Sequence, residues 1–140
     1  LTVVTNSILV ASALISNTSI DIRMCGGIMQ HEKGSLSGQS AEDFFSELHP
    51  NKLFIGADAI SAGRGITSGD ANISRLESLI AANSDKVIVL ADHTKFDRRM
   101  TIDTVLSADK IDVLIVDSLV APDYLALMKA NGVQTVIAEI

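Results

Sequence analysis

The chain has 140 residues, of which 47% are hydrophobic and 20% are charged, and its formal net charge is −6. These values are typical of one compact domain with a core of its own, and they argue against a disordered segment. They also argue against a nucleic-acid-binding surface, because neutralising phosphates requires clustered Lys and Arg.

Strand and helix signals alternate from the first residue to the last. In chain order, the predicted elements are a strand over 2–4, a helix capped by Asn6 or Ser7 and running to about Ile15, a strand over 20–24 that ends in Gly26-Gly27, a polar loop over 28–38, a helix around 41–48 stopped by His49-Pro50, a strand over 53–55, a glycine-rich loop over 59–69, a helix around 73–80, strands over 87–90 and 113–116, a helix from Pro122 to near Gly132, and a strand over 133–138.

This alternation predicts parallel βαβ units with right-handed crossovers, and therefore an α/β fold built on a mostly parallel, Rossmann-like sheet with flanking helices. The predicted strands are unbroken apolar runs, as expected when both faces of a sheet are covered. The sequence shows no internal repeat and no second-domain boundary, so we expect a single domain over residues 1–140.

The segment Val87 to Phe96 carries the strongest functional signal, because a buried strand ends abruptly in Asp92-His93-Thr94-Lys95. Ligands in open α/β sheets bind just beyond the carboxyl ends of the strands. There Asp92 can accept hydrogen bonds from sugar hydroxyls, and Lys95 can meet a phosphate as a point charge. The alternative is a surface loop with an ion pair between these two residues, in which Phe96 anchors the loop and His93 is solvated.

Basic residues are densest at Lys95, Arg98 and Arg99, interleaved with Asp92 and Asp97. This cluster is too small for a nucleic-acid duplex and about right for one phosphate.

Other strand ends carry weaker signals. Thr5-Asn6-Ser7 can bind an anion at a helix N-terminus or act as a plain cap. Gly26-Gly27 permits close ligand approach or a tight turn. The segment Gly63 to Thr67 could cradle an oxyanion, although it matches neither a dinucleotide fingerprint nor a P-loop. Asp58 could orient sugar hydroxyls or cap its loop, and Asp117-Ser118 favours a cap.

Other chemistry has little support in the sequence. The histidines are scattered and Cys25 is alone, so we expect neither a metal site nor an intrachain disulfide, and the lone cysteine suits a reducing cytoplasm. There is no G-x-S-x-G nucleophile elbow and no apolar run of about 18 residues, so we expect no catalytic residue, no cofactor and no membrane span. The first residues lack a basic region, so we expect no signal peptide. They also lack an initiator Met and begin directly in a strand-like run, so we expect that upstream residues are missing.

Taken together, these segments resemble the C-terminal effector-binding domain of the DeoR family of bacterial transcriptional repressors. The matching segments, in the family's order, are 1–7 (LTVVTNS), 25–27 (CGG), 36–38 (LSG), 53–60 (LFIGADAI), 65–67 (GIT), 87–96 (VIVLADHTKF) and 111–117 (IDVLIVD). The resemblance implies a fold similar to ribose-5-phosphate isomerase and glucosamine-phosphate deaminase, and a phosphorylated sugar or sugar alcohol as effector.

The resemblance also implies roles for individual residues. The family's Asp-x-x-Lys pair, tied to inducer response, falls on Asp92 and Lys95. Its Thr-Asn turn falls on Thr5 and Asn6, its double glycine on Gly26 and Gly27, and its Gly-Ile-Thr segment on Gly65 and Thr67. With Asp58, these residues form the predicted effector site.

Two family features are absent from the sequence: the N-terminal winged helix-turn-helix, and the first strand of the sensor domain with its Asp-x-Gly-Thr-Thr-type turn. We therefore expect an N-terminally incomplete sensor domain of a cytoplasmic repressor of a carbohydrate or sugar-alcohol operon. Operator DNA would contact only the missing domain, and an exposed sheet edge or apolar patch would favour a homo-oligomer. The alternatives are a sugar-phosphate isomerase or deaminase with Asp58 or Asp92 as base, and an oligomerisation domain without a ligand.

Overall fold

The computed structural model describes residues 1–96 and 103–139, and the chain divides into two compact units, Leu1–Leu48 and His49–Ile140. None of the helices described has both the length and the apolar character needed to cross a lipid bilayer.

The first unit pairs two short sheets with two helices. Its elements are β1 (Thr2–Thr5), α1 (Ile8–Leu14), β2 (Asp21–Met24), β3 (Ile28–Gln30), β4 (Ser35–Ser37) and α2 (Gln39–Ser46). β1 and β2 are parallel, and β3 and β4 form an antiparallel hairpin. Ser7 caps α1 as predicted, its hydroxyl accepting from the Val10 N–H at 3.3 Å. The loop predicted over 28–38 was wrong, because this stretch contains the hairpin.

The second unit contains a parallel sheet and a smaller antiparallel sheet. Its elements are β5 (Leu53–Ile55), β6 (Ala59–Ser61), β7 (Gly65–Ser68), α3 (Ala71–Ala82), β8 (Val87–Ala91), β9 (Asp103–Leu106), β10 (Val113–Asp117), α4 (Pro122–Ala130) and β11 (Gln134–Ala138). Short 3₁₀ turns lie at His93–Lys95 and Ala108–Lys110. The glycine-rich loop predicted over 59–69 is instead the hairpin of β6 and β7, and β9 was missed.

The parallel sheet has the strand order β11-β10-β8-β5, which confirms the predicted mostly parallel architecture with flanking helices. One face of this sheet is covered: Val89, Leu114 and Val116 are buried there with Met128 of α4. The opposite face is partly open, since Phe54, Leu90 and Val136 are exposed. The expectation that both faces are covered therefore holds for one face only in the described residues.

All four strands of this sheet run in the same direction, so their carboxyl ends meet at one edge. The antiparallel sheet, in the order β6-β7-β9, lies within the same unit and packs against α3. Parallel sheets offer a ligand site at the carboxyl edge, which directs attention to the residues that follow each strand.

Candidate functional site

An open cleft of about 400 Å³ lies at the carboxyl edge of the parallel sheet. Each strand contributes to its wall just before or after the strand ends. The lining residues are Gly56, Ala57, Leu90, Ala91, Asp92, Lys95, Ile115, Val116, Asp117 and Ala138. Apolar walls with a few polar groups are typical of small-molecule sites, and the volume is in the range that such sites have.

Asp92 begins the turn that follows β8. One carboxylate oxygen, Oδ1, accepts hydrogen bonds from the Thr94 hydroxyl and from the Thr94 N–H, the latter at 2.8 Å. This local bonding is why an Asp at a strand end starts a tight turn. The second oxygen, Oδ2, accepts no hydrogen bond from the described residues, and the carboxylate is exposed. It is therefore available to a ligand.

The Asp92 carboxylate is ionised at neutral pH. The Thr94 hydroxyl, the Thr94 N–H and the nearby charge of Lys95 hold the pKa of Asp92 below its ordinary value. The turn brings Lys95 to the same cleft, and the Lys95 N–H donates to the Asp92 carbonyl at 3.1 Å. The predicted pair thus offers one carboxylate oxygen and one ammonium on one wall.

Asp117, the last residue of β10, ties this turn to the neighbouring strand. Its Oδ2 accepts from the His93 N–H at 2.8 Å and lies 3.0 Å from His93 Nδ1, while its Oδ1 accepts from the Leu119 N–H at 2.8 Å. Burial acts to raise the pKa of Asp117, but the hydrogen bonds from His93 and Leu119 outweigh it and hold the pKa below its ordinary value. The predicted cap is present, and the contact with His93 was not anticipated.

Phe96 anchors the other end of the turn. Its side chain is buried, and its ring lies 5.4 Å from the ring of Tyr124 in α4, measured between centroids. The turn that carries Asp92 and Lys95 is therefore fixed on both sides, by Asp117 at His93 and by α4 at Phe96.

Three polar side chains meet closely enough to consider a metal ion. Among the described residues, Asp92, His93 and Asp117 each offer one ligand atom within 4.8 Å of the others. Both oxygens of Asp117 already accept N–H hydrogen bonds, however, so this carboxylate serves to hold the turn.

The other predicted site residues in the second unit, Asp58, Gly65 and Thr67, are not among the residues that line the cleft. The Asp58 Oδ2 atom accepts from the Ser68 hydroxyl at 3.0 Å and from the Gly69 N–H at 3.3 Å, which matches the loop-capping alternative. Gly65 and Thr67 are buried in β7. Gly65 has φ +81, and an added Cβ would meet the Leu106 carbonyl at 2.0 Å, so the backbone requires glycine there.

Thr5, Asn6, Gly26 and Gly27 belong to the first unit. The Thr5 hydroxyl accepts from the Ser7 N–H at 3.0 Å, and the Asn6 side-chain amide donates to the Leu36 carbonyl at 3.0 Å. An added Cβ at Gly27 would lie 2.5 Å from the Ser37 carbonyl oxygen, so β4 approaches this glycine closely. The contribution of these four residues to an effector site stays a prediction.

The basic cluster and the lone cysteine are the remaining features singled out in the sequence. Arg98, Arg99 and Asp97 of the basic cluster lie outside the described residues. Cys25 is buried, and burial raises the pKa of its thiol, which keeps the thiol protonated and unreactive.

Comparison with known proteins identifies the family. The model of the DeoR C-terminal sensor domain matches residues 1–118. The chain is 32% identical over 138 residues to the HTH-type transcriptional repressor GlcR of Bacillus subtilis, covering 99% of this chain and 53% of that protein. It is 29% identical over 133 residues to a putative aga operon transcriptional repressor of Escherichia coli O157:H7, covering 95% and 49%.

A third relative is the glycerol-3-phosphate regulon repressor of Escherichia coli K12, 26% identical over 129 residues, with 92% of this chain and 50% of that protein covered. The chain spans about half the length of these relatives, all of which are named as repressors. The family match over residues 1–118, together with alignments that cover nearly the whole of this chain, shows that the chain belongs to the DeoR family, as a C-terminal sensor domain.

Proposed function

We propose that this chain is the effector-sensing part of a carbohydrate-responsive transcriptional repressor, and that its effector is a phosphorylated sugar or sugar alcohol. The observation that carries the proposal is the cleft at the carboxyl edge of the sheet, to which the turn after β8 contributes both Asp92 and Lys95. A carboxylate accepts from hydroxyls and an ammonium attracts a phosphate, so one ligand with both groups fits the pair.

The names of the relatives support the same class of ligand. One is named for an aga operon and another for the glycerol-3-phosphate regulon, which suggests that a phosphorylated polyol is a reasonable effector for this chain as well. The chain is acidic, so we assign DNA binding to a part of the full repressor outside residues 1–140. We expect the full repressor to act in the cytoplasm. Effector binding would then shift the full protein between operator-bound and released states.

The alternative of a sugar-phosphate isomerase or deaminase requires a free carboxylate base. Asp58 Oδ2 accepts from Ser68 and Gly69 and Asp92 Oδ1 accepts from Thr94, which leaves Asp92 Oδ2 as a candidate base. The relatives compared above, however, are named as repressors. We therefore favour a regulator over an enzyme. Turnover of ribose 5-phosphate or glucosamine 6-phosphate by the purified chain would reverse this preference.

A thermal-shift screen tests the proposal. The panel contains glycerol 3-phosphate, ribose 5-phosphate, fructose 6-phosphate, glucosamine 6-phosphate and galactitol 1-phosphate, with inorganic phosphate as a reference. A ligand present at 100 times its Kd stabilises the folded chain by about 2.7 kcal/mol, which raises Tm by several degrees.

Two lysine variants sharpen the screen. Lys95→Ala should weaken binding about 10- to 100-fold, because it removes a charge-assisted contact with the phosphate. Lys129→Ala, in the last turn of α4 and outside the lining of the cleft, should bind like the wild type. The proposal fails if no sugar or polyol phosphate shifts the wild type, or if both variants respond equally.

A further inference from the structure

Gly56 lacks a side chain at a position where the fold does not require glycine. It is not among the glycines with a positive φ, and a Cβ added to it would meet no heavy atom of the described residues within 4 Å. Gly65 and Gly27 differ in both respects, since each has a positive φ and an added Cβ would meet the carbonyl oxygen of Leu106 or Ser37. Neither backbone strain nor crowding therefore accounts for the glycine at position 56.

The place of Gly56 in the fold suggests another reason for the missing side chain. Gly56 directly follows β5 and lines the cleft, as Leu90 of β8 does. Side chains alternate between the two faces of a strand, so a Cβ at Gly56 would lie on the same face as Phe54, which is the partly open face of the sheet. A side chain at position 56 would thus extend into the cleft.

The polar groups of the cleft lie one strand away from Gly56. Asp92 and Lys95 stand on the turn after β8, and β8 is the neighbour of β5 in the sheet, with Ile55 paired to Val89. Adjacent strands are about 4.8 Å apart. A ligand whose phosphate meets Lys95 and whose hydroxyl meets Asp92 can therefore place its remaining carbons over the bare backbone of Gly56.

The two sides of β8 offer a ligand different amounts of room. On the side of β10, Ile115 is paired with Leu90 in the register, and its side chain lines the cleft. On the side of β5, a hydrogen stands in the place of a side chain at Gly56. The carbon chain of a ligand held by Asp92 and Lys95 therefore meets less obstruction towards β5. A glycine of this kind is typical of places where a ligand approaches a strand backbone closely.

We infer that Gly56 is a specificity-determining residue, whose missing side chain leaves room for the part of the effector that extends beyond Asp92 and Lys95. This inference rests on the proposed function and narrows the effector to the phosphate of a five- or six-carbon sugar or sugar alcohol. Glycerol 3-phosphate has only three carbons, which the contacts at Asp92 and Lys95 engage, so we expect its binding not to depend on this space.

Alanine at position 56 tests the inference against a matched glycine. Gly63 also lacks a positive φ and has no described heavy atom within 4 Å of an added Cβ, but it is not among the residues that line the cleft. We expect the Tm of Gly56→Ala and of Gly63→Ala to be no lower than that of the wild type, because alanine restricts the unfolded chain. A Tm lowered in Gly56→Ala alone would show that the fold needs this glycine, and would overturn the inference.

Isothermal titration calorimetry then compares a long and a short ligand. The long ligand is whichever of ribose 5-phosphate, fructose 6-phosphate, glucosamine 6-phosphate and galactitol 1-phosphate stabilises the wild type most, and the short ligand is glycerol 3-phosphate. Gly56→Ala should weaken binding of the long ligand about 10-fold or more, because the added methyl group takes its space, and Gly56→Val should weaken it further. Any binding of the short ligand should be unchanged, and Gly63→Ala should bind both ligands like the wild type.

Three results would overturn the inference and leave the proposed function intact, because Lys95→Ala tests that function separately. The first is equal affinity of Gly56→Ala and the wild type for the long ligand. The second is equal weakening for both ligands, and the third is a wild type that binds glycerol 3-phosphate more tightly than any of the longer phosphates. If none of these phosphates binds the wild type, the proposed function fails and this inference fails with it.

Discussion

The ring of Phe96 lies 5.4 Å from the ring of Tyr124, with an angle of 42° between the ring planes. Phe96 directly follows the turn that carries Asp92 and Lys95, and Tyr124 lies in α4, so this contact attaches the proposed effector site to the core. The position of the binding turn thus depends on a contact between buried Phe96 and partly buried Tyr124, outside the cleft.

Replacing Phe96 should therefore destabilise the chain and weaken effector binding together. We expect Phe96→Ala to lower the free energy of unfolding by about 3 to 5 kcal/mol, because it leaves a cavity in the core. Urea denaturation measures this loss. A double-mutant cycle between Phe96→Leu and Tyr124→Leu should give a coupling of about 0.5 to 1.5 kcal/mol, and additive losses would show that the rings do not interact.

Gly65 should be required for stability, whether or not it contacts an effector. Gly65 and Gly132 share a positive φ, +81 and +83, but an added Cβ meets the Leu106 carbonyl at 2.0 Å only in the case of Gly65, and nothing within 4 Å in the case of Gly132. Gly132→Ala should lower the free energy of unfolding by about 1 to 2 kcal/mol, because alanine disfavours the left-handed backbone conformation. Gly65→Ala should lower the free energy of unfolding at least about twice as much, or prevent folding, because its Cβ also clashes with the Leu106 carbonyl. Equal losses in urea denaturation would contradict this account.

The apolar strands could be predicted because their signal is local, and their alternation with helices predicted that they run parallel. The runs at Leu53–Ile55, Val87–Ala91 and Val113–Asp117 are short, branched and bounded by turn residues. The hairpins of β3 with β4 and of β6 with β7 were missed because glycine and serine dilute their patterns. β9 was missed because its pairing with β7 bridges about 40 positions in the sequence.

For the candidate site, the sequence likewise predicts local proximity but not contacts between neighbouring strands. Asp92 and Lys95 are three positions apart, so their proximity follows from the sequence alone. The contact between Asp117 and His93 spans 24 positions and exists because β10 lies next to β8 in the sheet. The order of neighbouring strands is a tertiary property, and no local pattern contains it.

The Thr94 hydroxyl should set the acidity of Asp92. Its hydrogen bond is the largest of the effects that lower the pKa of Asp92. In Thr94→Val the pKa of Asp92 should rise towards its ordinary value, and in Thr94→Ser it should stay low, because serine keeps the hydroxyl. A carbon NMR titration of the Asp92 carboxyl measures both. A pKa that does not move in Thr94→Val would show that the hydroxyl has no such effect.

The sign of the pH effect on stability follows from this lowered pKa. Since the pKa of Asp92 is lower in the folded chain than in the unfolded chain, its contribution to stability is present above the unfolded pKa and is lost as pH falls through the folded pKa. The loss therefore begins near the unfolded pKa, about pH 4, and in Thr94→Val it should be smaller and complete at a higher pH than in the wild type. Because Asp92 is exposed, solvent screening keeps the effect small.

The partly open sheet face should mediate self-association of this chain. The register places Leu90, Ile115 and Val136 side by side, and Phe54 lies on the same face in β5, an edge strand of the four-stranded sheet in the described residues. Phe54 is 59% exposed. Contiguous exposed apolar side chains and unpaired sheet edges both favour association with another chain.

Sedimentation equilibrium can measure this association. Phe54→Glu places a charge on the open face and edge, and should weaken the self-association constant at least about 10-fold, a change of about 1.4 kcal/mol. Leu127→Glu is the matched control, because Leu127 is similarly exposed but lies on α4. At about 100 µM, the experiment detects an association free energy of about −5.5 kcal/mol or stronger. A wild type that is monomeric at this concentration would refute self-association. Equal weakening by both variants would instead indicate that net charge, and not this face, controls it.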